Sequence, residues 1–182
     1  MWIAIIIISL VVVFDVVVYN RLIRTRNLVA EAWSGIDVQL KRRHDLIPNL
    51  VEAVKGYGQH ERTLFEDVAQ KRSDAIGAGT PSEKGQAESE LTRQVKSLFA
   101  VAEAYPDLKA SSNFIELQKG LTEVEDQIQY ARRYYNGAVR DYNILVQSFP
   151  NNLLAKPLGF QSKEFFEIEL ATEREAPKVD MQ

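Results

Sequence analysis

The feature that most constrains this chain is an apolar seam that recurs every seven residues. Phe114, Leu117, Leu121, Val124, Ile128, Ala131, Tyr135, Ala138, Tyr142, Leu145 and Phe149 step by three and four without a gap. Chance does not readily sustain such a pattern over five heptads, and its physical meaning is a long helix that buries one narrow stripe. A second seam runs through Val29, Trp33, Ile36 and Leu40, then Ile47, Leu50, Val54 and Tyr57, then Leu64 and Val68, with missing steps at Arg43 and Glu61. It predicts one helix reaching from a membrane to about Ile76, roughly 84 Å long at 1.5 Å per residue. Pro48 should kink it, because proline removes a backbone donor and clashes with the carbonyl of His44. Alternatively, Asp45 caps a new helix with Pro48 in its first turn. Gly56 and Gly58 are further weak points.

Gly77-Ala78-Gly79 ends this helix, and Thr80-Pro81-Ser82-Glu83 reads as a capping box with proline at the first helical position. The next helix carries Ala87, Leu91, Val95, Leu98, Phe99, Val101 and Ala102 and stops at Tyr105-Pro106-Asp107. The helix with the unbroken seam starts near Ser111 or Ser112 and ends at Phe149-Pro150-Asn151-Asn152. Leu153, Leu154 and Ala155 suit a short helix before Pro157. Phe160, Phe165, Phe166 and Ile168 are too apolar to float free and should fold back onto a bundle end or a neighbour. From Ala171 the tail is polar and expected to be disordered. The fold class is therefore all-α, an antiparallel bundle of long helices. The first helix is longer than the others, so part of its seam lacks an evident partner, which argues for self-association.

Trp2 to Val18 is apolar except for Ser9 and Asp15. About 17 residues is the lower limit for a membrane-spanning helix. A cleaved signal peptide usually has a basic start and a small-residue cleavage site, and neither flanks this run. No Lys or Arg precedes it, whereas Arg21, Arg24 and Arg26 follow at once, with Lys41, Arg42 and Arg43 soon after. The positive-inside rule then places the N-terminus outside and the bundle in the cytoplasm of a single-pass plasma-membrane (inner-membrane) protein, a periplasmic bundle being the alternative. The expected organisation is an anchor over 1–19, a bundle over 20–170 and a tail over 171–182. Asp15 either lines a seam between anchors or snorkels to the interface near Tyr19 and Arg21.

Composition narrows the chemistry. The 182 residues carry a net charge of -3, which gives no field for nucleic acid, and contain no cysteine, which removes disulfides, thiolate metal sites and cysteine nucleophiles. The two histidines, His44 and His60, are too far apart for ligation from one helix face, and no Gly-x-Ser-x-Gly, P-loop or dinucleotide fingerprint is present. No cofactor, metal or catalytic residue is expected. Lys41-Arg42-Arg43-His44 could bind anionic lipid or a phosphate ligand, or form a solvated face or ion pairs with Glu123, Glu125 and Asp126. Arg132-Arg133-Tyr134-Tyr135-Asn136 mixes cations and aromatics, but Tyr135 lies on the seam, so core and rim is the better reading than single-strand nucleic-acid binding.

Five stretches carry a resemblance. Glu31-Ala32-Trp33-Ser34-Gly35-Ile36-Asp37-Val38-Gln39-Leu40-Lys41-Arg42-Arg43-His44-Asp45-Leu46-Ile47-Pro48-Asn49-Leu50-Val51 resembles the signature of the bacterial LemA family. So do Ala102-Glu103-Ala104-Tyr105-Pro106-Asp107-Leu108-Lys109-Ala110 and the group Arg133-Tyr134-Tyr135-Asn136, Tyr142-Asn143 and Phe149-Pro150-Asn151-Asn152. The resemblance implies one N-terminal membrane helix followed by long antiparallel helices, with no established enzymatic activity. The expected role is a non-enzymatic membrane scaffold or adaptor whose partners are the lipid bilayer, further copies of itself and other membrane proteins. The alternative is a sensor that transmits a change through its helices with Pro48 as hinge. Candidate interaction residues are Asp15, Trp33, Lys41, Arg42, Arg43, His44, Pro48 and Tyr57.

Overall fold

The computed structural model describes residues 1–58 and 61–168; His60 and the 171–182 tail lie outside the described residues. Among them the chain is all-α, with no strand, as the seams require. The helices are α1 (Trp2–Lys55), α2 (Arg62–Gly77), α3 (Pro81–Glu103), α4 (Pro106–Lys109), α5 (Ser112–Gln147) and α6 (Asn152–Ala155).

The single helix expected to run to Ile76 is two helices. The chain leaves α1 where glycine makes helix continuation costly: the Tyr57 and Gly58 N–H groups both fold back onto the Val54 carbonyl, at 3.0 and 2.9 Å. Pro48, by contrast, starts no new helix and lies inside α1, and Asp45 is not a cap. The expected capping box is present at α3. Thr80 Oγ1 accepts from the Glu83 N–H at 3.2 Å, and Glu83 Oε2 accepts from the Thr80 N–H at 3.0 Å. The chain rejoins a helix at Pro106 and turns once, so Tyr105-Pro106 ends α3 and opens α4.

Two compact units form, each with its own core. The first combines Met1–Val38 with Ile128–Phe165. Here Val18, Leu22, Val29, Ala32 and Ile36 of α1 are buried, together with Ile128, Tyr135, Ala138, Val139, Tyr142 and Leu145 of α5. Trp33 meets Tyr135 with ring centroids 5.2 Å apart, and Tyr19 meets Phe160 edge-on at 6.1 Å. The segment after α6 is zipped onto α5 by side chains. Asn143 Nδ2 donates to the Lys163 carbonyl at 2.9 Å, its Oδ1 accepts from the Lys163 N–H at 2.7 Å, and the Tyr135 hydroxyl donates to the Glu164 carbonyl at 2.9 Å. One amide thus satisfies both backbone groups of a residue that no helix or sheet serves. The α1 seam expected to lack a partner is therefore filled from Val18 onward by this chain's own residues, because α5 is long enough to serve both units. The seam of α5 departs from expectation at its end: the helix stops at Gln147, and Phe149 is 79% exposed.

The second unit combines Gln39–Gln127 with the chain from Phe166. Its core joins Ile47, Leu50 and Val54 of α1, Phe65, Val68 and Ala75 of α2, Leu91, Val95, Leu98 and Ala102 of α3, and Phe114 and Leu121 of α5. Phe166 and Ile168 are buried as well, as their apolarity demands, whereas Phe165 stays exposed. The segment that carries them passes α3 at Gly85. A Cβ there would run into the Glu167 carbonyl oxygen, so glycine is required by close approach and not by backbone conformation.

Gly85→Val is accordingly expected to cost roughly 1–3 kcal/mol, the range for forcing atoms into a filled site. Gly137→Ala in α5, where an added Cβ meets nothing within 4 Å, should instead stabilise the helix by about 0.5–1 kcal/mol. Chemical denaturation of the full-length chain in detergent measures both.

Candidate functional site

Arg43 occupies the missing step of the α1 seam, three residues after Leu40 and four before Ile47, both fully buried. Helical geometry therefore turns it into the core. On α3, Leu91, Val95 and Leu98 define the buried stripe, and one step back from Leu91 is Glu88. A cation on one seam thus meets an anion on the other. Glu88 is 0% exposed, Arg43 3% and His44 6%.

Burying a carboxylate costs several kcal/mol unless it is paired and hydrogen-bonded, and this one is. Arg43 Nη1 donates to Glu88 Oε2 at 3.1 Å, and His44 Nε2 lies 2.7 Å from Glu88 Oε1. An ionised carboxylate only accepts, which assigns the hydrogen to Nε2 of the imidazole. Arg43 Nη2 donates to Thr92 Oγ1 at 2.6 Å, and that hydroxyl donates to the Glu88 backbone carbonyl at 2.8 Å. Glu125 of α5 completes the cluster from its more exposed side, 3.7 Å from Arg43 Nη1. The His44 carbonyl, left without a helical donor by Pro48, accepts from Arg72 Nε of α2 at 2.8 Å. Proline is therefore tolerated in mid-helix because another helix supplies the missing donor.

The residues singled out in the sequence do not converge on one surface. Arg43 and His44 enter the cluster, and Pro48 joins it through the His44 carbonyl. Lys41 and Arg42 are exposed, and Arg42 donates to Gln39 Oε1 at 3.3 Å. The basic quartet is thus divided between a solvated half and a buried half, and Glu125 is one of the acids expected to pair with it. Trp33 is half-buried against Tyr135, and Tyr57 is exposed just beyond α1. Asp15 is half-buried, on the helix face it shares with Val18 and Leu22. Glu88 escaped the sequence reading. The signal for it was available: a charge at a seam step of α3 matching the charge at a seam step of α1.

A cleft of about 310 Å³ beside the cluster is lined by Arg43 and Thr92 together with Val95, Phe99 and Leu121. Lys96, Glu125 and Asp126 also line it, so two cations face two anions and neither sign of ligand is favoured. The Thr92 hydroxyl both accepts and donates within the cluster, and His44 Nε2 is committed to Glu88. Neither group is arranged as a nucleophile–base pair. Among the described residues, no group of three or more His, Cys, Asp or Glu could hold a metal ion. The arrangement is a clasp across α1, α3 and α5.

In the first unit, burial pushes the Tyr135 hydroxyl above the ordinary tyrosine range, and the Glu164 charge adds to the shift. Burial also raises Tyr142, with Arg26 partly opposing it.

Two expectations follow from these groups. Arg43→Met or Glu88→Leu alone should cost about 3–5 kcal/mol by stranding the remaining charge, whereas the double variant should cost far less than their sum. A double-mutant cycle of denaturation midpoints in detergent reads this directly. Because folding raises the tyrosine pKa, its contribution is complete below the unfolded value of about 10 and is lost as pH rises through the folded value. Tyr135→Phe should lose about 1 kcal/mol for the bond to Glu164 at neutral pH. It should also show a shallower alkaline decline, measured by helicity against pH.

Residues 32–181 match the LemA family. A magnetosome protein MamQ of Paramagnetospirillum magneticum is 26% identical over 175 residues, covering 82% of this chain and 64% of that relative. The magnetosome protein MamQ of Magnetospirillum gryphiswaldense is 23% identical over 174 residues, covering 81% and 64%. Protein LemA of Metamycoplasma hominis is 27% identical over 165 residues, covering 88% and 73%. The chain thus spans 64% of the length of the magnetosome relatives it matches. With the family pattern covering most of its length, including the clasp residues of α1, α3 and α5, the chain belongs to the LemA family.

Proposed function

We propose that this protein is a non-enzymatic, membrane-anchored helical scaffold that self-associates and organises partner membrane proteins. The observation that carries this reading is the change of environment along α1. Its residues before Val18 are apolar except for Ser9 and Asp15 and, apart from half-buried Asp15, exposed, whereas Val18 onward supplies a seam buried by the chain itself. Among the described residues α1 is the one helix long and apolar enough to cross a membrane. A bilayer covers such a stretch at no cost in unpaired backbone, since a helix satisfies its own amides. Residues 1–19 are then the anchor, and a folded body follows without a flexible linker.

Further support comes from the clasp, which uses its polar groups on one another, and from the magnetosome relatives, whose names attach them to a cell structure and not to a reaction. Arg21, Arg24 and Arg26 directly after the apolar run favour an outside N-terminus and a cytoplasmic body in the plasma membrane. Since the α1 seam is filled from Val18, copies meet through the stretch before it.

The chain has no cysteine, so single cysteines can be placed freely. Full-length protein in mild detergent is expected to sediment as a multimer, with Val12→Cys forming intermolecular disulfides and Val38→Cys forming none. A monomer that cross-links at neither position would overturn self-association.

A further inference from the structure

The apolar residues after the anchor are not spread evenly over the surface. Beyond residue 17, the two most exposed large hydrophobic side chains are Phe149, at 79%, and Leu153, at 65%, and Leu158, at 51%, is exposed in the same segment. Single exposed hydrophobics need no explanation, but three within ten residues around one short helix concentrate apolar surface in one segment, called the patch below. Within the segment Ala155 is fully buried and Leu154 half-buried, while Leu153 and Leu158 are exposed.

Its location is fixed by contacts within the first unit. Phe160, at the end of the segment, packs edge-on against Tyr19, and the Arg26 guanidinium lies 5.4 Å from the same ring. Tyr19 directly follows the apolar run, and Val18, the last residue of that run, is already covered to 5% exposure. The patch is therefore tied to α1 where the proposed span leaves the bilayer. Exposed Lys156 lies within it, and exposed Arg21 and Arg24 lie on the adjoining turns of α1. Cations so placed favour an anionic lipid surface.

From Asn152 onward the backbone amides meet the demand of a water-poor layer, although the buried Asn152 Oδ1 has no hydrogen-bond partner. From Asn152 to Phe160 every N–H has an internal acceptor: Asn152 on Ser148, Leu153 on Pro150, Leu154 and Ala155 on Asn151, Lys156 on Asn152, Leu158 on Leu154, Gly159 on Lys156 and Phe160 on Ala155. Pro157 has none to satisfy. Gly159, at φ +76, makes the reversal that returns the chain to α1. Loops that face water have no need of such complete internal pairing, whereas a segment entering lipid pays for every unpaired amide.

We propose that residues 149–158 form a second membrane contact, in which Phe149, Leu153 and Leu158 enter the interfacial layer of the same bilayer that α1 crosses. The proposal rests on the anchor reading, and its test separates the two. Leu153→Cys and, in a second chain, Val12→Cys are labelled with an environment-sensitive fluorophore. Each full-length protein is reconstituted into vesicles of phosphatidylcholine and phosphatidylglycerol. Loss of Leu153→Cys emission to a nitroxide carried at headgroup depth, with loss of Val12→Cys emission to one carried deep in the acyl chains, is the expected result. Quenching of Val12→Cys alone would overturn the second contact and leave the anchor intact. A blue shift of Leu153→Cys without lipid quenching would place protein on the patch and overturn it equally. Quenching of neither would remove the anchor and the proposal together. Phe149→Cys serves as an independent position on the same patch and should follow Leu153→Cys.

Discussion

A carboxylate shut away from water must be matched by positive charge and donors that are equally shut away, and Glu88 sets that condition for the second unit. Arg43 answers it from α1, His44 adds a second donor from the next residue, and Thr92 ties the guanidinium back to the same turn of α3. A hydrophobic pair of similar volume could contribute as much stability or more. What the ionic arrangement adds is register. Sliding α1 by one heptad against α3 would place Arg43 among leucines and leave Glu88 bare, whereas an all-leucine seam tolerates such slips. Helices this regular have many near-equivalent alignments, and one buried charge pair suffices to single out one of them.

The same logic explains how helices end. Apolar periodicity alone would carry α1 through to α2, and the break comes from Gly56 and Gly58, which let two amides share the Val54 carbonyl. At α3 the reciprocal bonds of Thr80 and Glu83 supply what the first turn lacks. Asn143 does for an irregular segment what a neighbouring strand would do in a sheet, offering one donor and one acceptor to Lys163. In each place local chemistry decides where a global pattern stops.

Most of the architecture was legible in the residues, because a seven-residue repeat constrains a helix over many turns. Ile36, Leu40, Ile47, Leu50, Leu121, Ile128 and Tyr142 all lie buried where the repeat puts them. Two errors share one cause. The expected bare seam on α1 and the expected burial of Phe149 both depended on which segments lie side by side, and periodicity reports faces without naming partners. The clasp was half legible. Arg43 could be seen as an interruption of its seam, but Glu88 could be recognised only by treating a charge on α3 as its complement, a long-range pairing that one helix's pattern does not contain. The closure of Gly85 against Glu167 was invisible for the same reason.

Pro48 has an effect beyond its tolerance in α1. In an ordinary helix every carbonyl is held by the turn above it, so a neighbouring helix can fray without disturbing it. Here one carbonyl of α1 is held by a side chain of α2, while the imidazole of the same residue is held by α3. Detaching α2 would expose an orphaned acceptor inside α1, and detaching α3 would free the ring beside it. A proline that removes one local bond has therefore converted it into a tertiary one, so that His44 couples the opening of α1 to that of both α2 and α3.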